Sequence, residues 1–483
     1  MNFWDYAIWS ALVQFGAICM FIIFANILRR KIPFLRRSLL PTAVIAGFMA
    51  LIFRSIGWLD FISIGFLDGI TFHALALGFI ALSLKRRYTE KNDQLHKKNR
   101  MSEGLNSGAT IVGTYLVQGI VGLTVTILFA WTILSWLFPG SGLLLAIAFG
   151  QGPGQANNFG RIYEELGFSG GQSFALSLAS IGFLVGSIVT VIYINILRKK
   201  GKISVEEIQK RSKESMDDEH ADEMPLSEPV DRMTMNIAVI MFIFMISAGF
   251  LFGFDRLFIA SGLFGDFGVE TLRPMMFGFN FIFAMLFAFG YKRIFVALRK
   301  RNIIKYEYTS NLLLGRIGGS LFDFMIIAGI LLIDINVVGQ LIVPIIILMI
   351  VGSVATFIYL KIVTKYNFHG YQNEQFVGFF AHLTGQISTG IAMIRVVDPN
   401  FKTRASDNLV LGSGFAILLG FPMMFMMGLA PSHPLLTLGI LVLLFIGINL
   451  ILFRSIIFKR KKRKDEKNIS IANEVEELPV VDN

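Results

Sequence analysis

Long stretches of apolar residues dominate this sequence of 483 residues. A helix that crosses the hydrocarbon core of a bilayer needs about 20 mainly apolar residues. Eleven segments meet this requirement, and they lie near 7–28, 39–57, 66–84, 108–137, 173–197, 235–254, 274–291, 312–333, 337–360, 408–428 and 435–453. Because backbone polar groups cannot stay unpaired in lipid, such segments are expected to be helical. The sequence therefore predicts an all-α polytopic membrane protein.

The start of the chain lacks the features of a cleaved signal peptide. No Lys or Arg precedes the first apolar segment, and no small-residue cleavage pattern follows it. We therefore expect the first helix to be retained. The single cysteine, Cys19, lies within this segment, so the sequence predicts neither a disulfide framework nor a zinc site.

The positions of the basic residues predict how the chain is oriented. Lys and Arg concentrate in the cytoplasmic loops of membrane proteins. With the N-terminus outside, all but five of the 44 Lys and Arg residues fall on the inner side. This pattern predicts a multi-pass protein of the cell membrane with a cytoplasmic C-terminus, and it explains the net charge of +11 without a nucleic-acid partner. A second interpretation adds binding of the basic segment 454–467 to anionic lipid head groups.

A charged linker divides the apolar segments into two groups. Residues 198–232 carry ten acidic and eight basic residues and lack apolar periodicity, which is typical of a cytoplasmic linker. Five apolar segments precede it, and an odd number inverts the orientation of the second half. We therefore divide the chain into an N-terminal transmembrane repeat (1–197), the linker (198–232), an inverted C-terminal repeat (233–430), an additional transmembrane helix (431–458) and a cytoplasmic basic and acidic tail (459–483).

The spacing of matching features supports this internal repeat. Pro41 opens the second apolar segment and precedes Gly152 by 111 residues. Pro274 opens the seventh segment and precedes Gly385 by the same 111 residues. Both glycines lie in glycine-rich stretches that are apolar at their start. The eleventh segment has no counterpart in the first half.

These two glycine-rich stretches are predicted to break helices inside the membrane. The first, residues 143–160, contains Gly150, Gly152, Pro153 and Gly154, and the second, residues 376–395, contains Gly385 and Gly390. Glycine and proline there would leave backbone groups unpaired. Such backbone is tolerated at membrane depth only in a protein interior or beside a water-filled cavity. We interpret the stretches as re-entrant segments that enter from opposite faces and meet near the middle of the bilayer; the alternative is two amphipathic loops on the membrane surface.

The candidate binding residues are the polar side chains of these stretches and the glycines beside them. They are Gly152, Gly154, Gln155, Asn157 and Asn158 in the first stretch, and His382, Thr384, Gly385, Gln386, Ser388, Thr389 and Arg395 in the second. Helix N-termini at a break favour a carboxylate, and freed carbonyl, amide and hydroxyl oxygens can coordinate sodium. The alternatives are packing for His382 and for the polar run at 155–158, and a purely topological role for Arg395.

Ionisable residues inside a predicted span are further candidates, because a charge at that depth is costly. Asp323 lies in the eighth segment and could bind sodium or a proton. Its structural alternative is an ion pair with Arg316, two helical turns earlier. His73 in the third segment could relay protons or serve only in packing.

Three motifs give the chain a resemblance to the glutamate:sodium symporter family. They are Leu40-Pro-Thr-Ala-Val-Ile-Ala-Gly47, the run from Gly150-Gln-Gly-Pro-Gly154 to Glu165-Leu-Gly-Phe168, and Thr384-Gly-Gln-Ile-Ser-Thr-Gly390. The resemblance spans about residues 40–429. It implies two inverted five-helix repeats with re-entrant glycine-rich loops and a homodimeric, sodium-coupled transporter of glutamate. The eleventh helix and its basic tail are additions to the family pattern.

The sequence thus favours a secondary transporter over other classes. No phosphate-binding loop of the G-x-x-x-x-G-K-[ST] type and no catalytic or H-E-x-x-H pattern occurs, so we expect neither ATP-driven transport nor an enzyme. The expected partners are the bilayer, a small carboxylate such as glutamate, and sodium as coupling ion, with no other cofactor. A sodium site is expected near Asn157, Thr384, Ser388 and Asp323. The alternatives are a passive anion channel and a transporter of the same fold with another solute or proton coupling.

Overall fold

We describe the fold from a computed structural model that covers residues 4–85, 94–201, 232–303, 309–398 and 403–454. Residues 202–231 of the predicted linker and the whole predicted tail, 459–483, lie outside this part of the chain. All regular structure in the described residues is helical. The prediction of an all-α architecture is therefore confirmed for them.

Within the described residues, the first half contains eight α-helices. They are α1 (Tyr6–Lys31), α2 (Pro33–Arg37), α3 (Thr42–Ser55), α4 (Ile64–Leu84), α5 (Gln94–Thr132), α6 (Leu144–Gln151), α7 (Pro153–Glu165) and α8 (Gly171–Lys199). A 3-10 turn, Pro139–Leu143, leads into α6. Helix α4 starts where the Ser63 hydroxyl accepts the backbone N–H of Phe66 at 3.3 Å, which satisfies one of the free amides at the helix start.

The part of the second half that the structure describes contains nine α-helices. They are α9 (Arg232–Phe254), α10 (Arg273–Gly278), α11 (Asn280–Lys300), α12 (Asn311–Leu331), α13 (Ile335–Asn367), α14 (Gln372–Leu383), α15 (Ile387–Val397), α16 (Ala405–Leu429) and α17 (Pro434–Leu452). Two π-helical segments, Asp255–Ile259 and Phe267–Leu272, connect α9 to α10. Helix α13 starts at Asp334, whose carboxylate accepts the N–H of Asn336 at 2.8 Å.

Ten helices within the described residues are long and apolar enough to cross a membrane, against eleven predicted. The exception is the second predicted segment, 39–57. It forms α3, which has only 14 residues and so a length of about 21 Å at 1.5 Å per residue. The ten helices make the chain a multi-pass membrane protein.

Two predicted segment boundaries are wrong. The fourth segment was expected to begin at 108, but α5 already begins at Gln94, inside the predicted inner loop. The seventh segment, 274–291, is not one helix, because it is split at Phe279 between α10 and α11. Apolar composition does not predict where a helix begins or ends, since a helix continues into polar surroundings wherever its backbone remains hydrogen-bonded.

Burial separates the helices into an inner and an outer group. In the apolar windows of α5 and α8, 61% of the residues are buried, against 22% for α1, α9 and α17. The outer helices carry exposed large apolar side chains such as Leu12, Met245 and Leu443. Such a surface is suited to lipid and not to water. Helices α5 and α8 therefore form the centre of the molecule.

The helices of the two halves pack in reciprocal pairs. Helix α4, the third predicted span of the first half, packs against α12, the third of the second half. Helix α3 packs against α12, and α11 packs against α4 in the same way. Likewise α5 contacts α16, and α13 contacts α8. When the spans of each half are numbered in order, the second span of each half packs against the third span of the other half. In the same way, the fourth span of each half packs against the fifth span of the other half.

Candidate functional site

The first glycine-rich stretch is broken at a single residue. Helix α6 ends at Gln151 and α7 begins at Pro153. Between them Gly152 has φ +78° and ψ −169°, a conformation that is essentially restricted to glycine. Pro153 lacks an N–H group and so starts α7 without leaving a donor unpaired. The predicted break is confirmed, but Gly150 and Gly154 lie within the flanking helices.

The second glycine-rich stretch is broken over three residues. Helix α14 ends at Leu383, and α15 begins at Ile387. The hydroxyl of Thr384 donates to the Phe380 carbonyl at 2.7 Å, and Gln386 is extended with φ −157°. This predicted break is also confirmed.

The two breaks lie against each other, although 233 residues separate Gly152 from Gly385 in the sequence. A Cβ atom placed on Gly152 would lie 3.6 Å from the carbonyl oxygen of Gly385. Helix α8 packs against the second break through two glycines. A Cβ on Gly182 would lie 2.6 Å from the Thr384 carbonyl oxygen, and one on Gly186 would lie 2.6 Å from its hydroxyl. These two glycines, four residues apart on one face of α8, thus let the helix approach the second break closely.

Helix α5 satisfies a backbone carbonyl at each break. The hydroxyl of Tyr115 donates to the Gly150 carbonyl near the end of α6, at 3.1 Å. The side-chain amide of Gln118 donates to the Leu383 carbonyl at the end of α14, at 2.9 Å. Residues three apart lie on the same face of a helix. Sequence reasoning missed both residues, since they lie in an otherwise ordinary apolar segment.

Several predicted binding residues place polar atoms in the interior without a hydrogen-bond partner. Within the described part of the chain these atoms are both amide atoms of Gln155, Nδ1 of His382, the hydroxyl of Thr389 and Oδ1 of Asn158. Gln155 is fully buried, and Thr389 is 3% exposed. A buried polar group without a partner costs about 1–3 kcal/mol. These atoms are therefore suited to contact a polar ligand beside the breaks.

A polar network connects the first break to the start of α4. Asn157 donates to Asp68 at 3.2 Å, and Gln172 at the start of α8 donates to both Asp68 and Asn157 at 2.8 Å. Arg161 forms an ion pair with Asp68 at 3.1 Å. Sequence reasoning missed Asp68. Its position as the third residue of the predicted apolar segment 66–84 is the signal that could have identified it.

The remaining candidates of the first stretch pack against neighbouring helices. Asn158 donates to the Gly278 carbonyl at 3.0 Å, where α10 ends. A Cβ on Gly154 would lie 2.6 Å from the sulfur of Met325 on α12, so the close approach of α7 and α12 requires glycine there. These contacts connect α7 to the broken seventh segment and to the helix that carries Asp323.

Four candidates have exposed side chains rather than buried ones: Ser388, Arg395, Asp323 and His73. Arg316 is also exposed, and no ion pair within 4.0 Å joins it to Asp323 among the described residues. His73 makes edge-on ring contacts with Phe72 and Phe244, as expected of a packing residue. No group of three or more His, Cys, Asp or Glu side chains suited to a metal ion occurs in the part of the chain that the structure covers.

Comparison with known proteins does not assign the chain to a family. No model of a protein family matches the sequence, and no match was found among characterised proteins.

Proposed function

We propose that this chain is a secondary transporter that resembles the glutamate:sodium symporters. In this proposal it moves glutamate or a related small carboxylate together with sodium across the cell membrane by alternating access. The observation that carries the proposal is the contact between two broken helices from opposite halves of the chain, Gly152 against Gly385. Unwound backbone at membrane depth is a feature of transporter binding sites.

The reciprocal helix packing supports an inverted pair of five-helix repeats. If the two halves have opposite orientations, the breaks α6–α7 and α14–α15 enter from opposite faces and meet near the bilayer centre. The concentration of basic residues on one side supports an outer N-terminus and a cytoplasmic C-terminus. Helix α17 then stands outside the repeat, against α5 and α16.

The chemistry of the two breaks favours an anionic solute. Helices α7 and α15 both begin at the breaks, and a helix N-terminus carries a partial positive charge of about +0.5. The unpartnered atoms of Gln155 and Thr389 lie within the first turns of these helices. Amide and hydroxyl groups together with free backbone N–H groups are suited to bind a carboxylate. Asp323, Asn157, Thr384 and Ser388 remain the proposed oxygen ligands for sodium.

Uptake into liposomes tests this proposal. Purified protein is reconstituted, and uptake of labelled glutamate is measured with an inward sodium gradient, with potassium replacing sodium, and with an ionophore that abolishes the gradient. We expect accumulation only in the first condition. Sodium-independent equilibration without accumulation would refute symport and indicate a channel, and accumulation driven by a proton gradient would indicate proton coupling.

A further inference from the structure

The contacts of helix α5 distinguish one side of the paired breaks from the other. Tyr115 and Gln118 approach the breaks where α6 and α14 end. The C-terminus of a helix carries a partial negative charge of about −0.5. Two such ends therefore meet the same turn of α5. This side of the breaks favours a cation, whereas the starts of α7 and α15 favour an anion.

The side-chain amide of Gln118 is held in one orientation. Its Nε2 atom donates to the Leu383 carbonyl at 2.9 Å and to the Thr356 hydroxyl at 3.0 Å. An amide nitrogen has two N–H donors, so both are used. Exchanging the nitrogen and oxygen would place Oε1 against the Leu383 carbonyl oxygen, and both of these atoms are acceptors. The oxygen of Gln118 therefore points away from these two partners.

This oxygen is a buried acceptor without a donor. Gln118 is fully buried near the middle of the apolar part of α5, Met101–Thr132. Within the described residues its Oε1 atom has no hydrogen-bond partner. Bond lengths of about 1.23 and 1.33 Å to the shared carbon keep Oε1 within about 2.6 Å of Nε2. It therefore stays beside the end of α14, where the Leu383 carbonyl still has a second lone pair.

We propose that Gln118 Oε1 is a ligand for the coupling cation, which binds on the α5 side of the breaks beside the ends of α6 and α14. The inference rests on the proposed function, and it adds Gln118, which sequence reasoning did not select, to the proposed sodium ligands. Because Asp323 and Ser388 are exposed, it places the ion beside Gln118 and Thr384, which follows the end of α14, and not at α12. Neutral amide and carbonyl oxygens suit a monovalent cation. A divalent ion is usually bound with carboxylates, and the described residues contain no acidic cluster. A cation here lies apart from the carboxylate expected at the starts of α7 and α15.

Sodium-dependent thermal stabilisation tests the site without requiring transport. The midpoint of unfolding of the purified full-length protein is measured over a range of sodium concentrations, with potassium keeping the ionic strength constant. A ligand that binds the folded state raises this midpoint with concentration. We expect Gln118→Leu to raise the half-saturating sodium concentration at least tenfold. Thr356→Val is the matched control, because it removes one bond to Nε2 and leaves Oε1 in place; its value should stay within threefold of the parent.

Gln118→Glu keeps the test decisive if the leucine variant does not fold. A carboxylate retains an oxygen ligand but repels the Leu383 carbonyl unless a proton or a cation lies between them, so the response is measured at alkaline pH, where protons compete least with sodium. The sodium-dependent rise in its unfolding midpoint should therefore be at least as large as in the parent. The inference is overturned if sodium does not stabilise the parent, if Gln118→Leu responds like the parent, or if Gln118→Glu loses the response. A failure of glutamate uptake alongside a normal sodium response would refute only the proposed function.

Discussion

Replacing Gly152 by alanine tests whether the conformation of the first break matters for transport. Gly152 adopts φ +78° and ψ −169°, where other residues cost about 1–3 kcal/mol of backbone strain. The added Cβ would meet the Gly385 carbonyl oxygen at 3.6 Å, an ordinary contact, so strain and not a clash sets the cost. Since 1.4 kcal/mol corresponds to a factor of ten, this strain lowers the population of the native break about 5-fold to 150-fold.

The assay is sodium-driven uptake of labelled glutamate in liposomes, normalised to the amount of folded protein. We expect Gly152→Ala to lower the initial rate at least fivefold and to lower the unfolding midpoint. Gly167→Ala is the matched control, because Gly167 also has a positive φ, +101°, but has no atom within 4 Å of an added Cβ. It should lower the unfolding midpoint and retain uptake. Gly16→Ala, in an open position on α1, should resemble the parent in both measurements.

Two results would refute this reasoning. If Gly152→Ala had the stability and uptake of the parent, the break would not require its glycine conformation. If Gly167→Ala lost uptake to the same extent, backbone strain anywhere in this region would be sufficient to lower uptake, and the break would have no special role in transport.

Three further predictions concern the surroundings of the breaks. Asp68→Asn should lower the unfolding midpoint more than Arg161→Gln, because Asp68 accepts hydrogen bonds from three side chains. The Arg161 side chain is 50% exposed, and its ion pair contributes less than about 1 kcal/mol. Equal shifts of the unfolding midpoint in the two variants would contradict this prediction. If Asp323 takes part in coupling, Asp323→Asn should abolish the sodium dependence of uptake in a protein that still folds, and unchanged uptake would leave Asp323 with a structural role. Gly186→Ala should reduce uptake, since its Cβ would lie 2.6 Å from a hydroxyl of the second break, whereas Gly249→Ala, with nothing within 4 Å, should not.

The sequence was a reliable guide to the helices, and its main errors concern their ends. Apolar length predicts spans because lipid cannot satisfy backbone groups. The short α3 and the split between α10 and α11 were missed, because the few polar residues of these segments, such as Arg54 and Asn280, leave them predominantly apolar. Both breaks were predicted from glycine and proline, whose backbone properties are local.

The candidate site was only partly predictable. Polar residues beside a break, such as Gln155 and Thr389, stand out in the sequence and are buried in the structure. Gln118 and Asp68 did not stand out, because a single polar residue within an apolar helix has no local pattern that indicates its partner. Their partners lie 265 and 89 to 104 residues away along the chain.

The amino-acid sequence was sufficient to predict that this chain is helical, that it crosses a membrane many times, and that two of its apolar segments are interrupted. These properties depend on the length of apolar runs and on the backbone freedom of single residues, both of which are local. The inverted layout of the two halves also predicted that the interruptions meet. Their placement against α8 and their shared attachment to one face of α5 became visible only when the helices were packed. The physical reason is that contacts such as Gly152 with Gly385, or Gln118 with Leu383, depend on how whole helices pack, which no segment encodes alone.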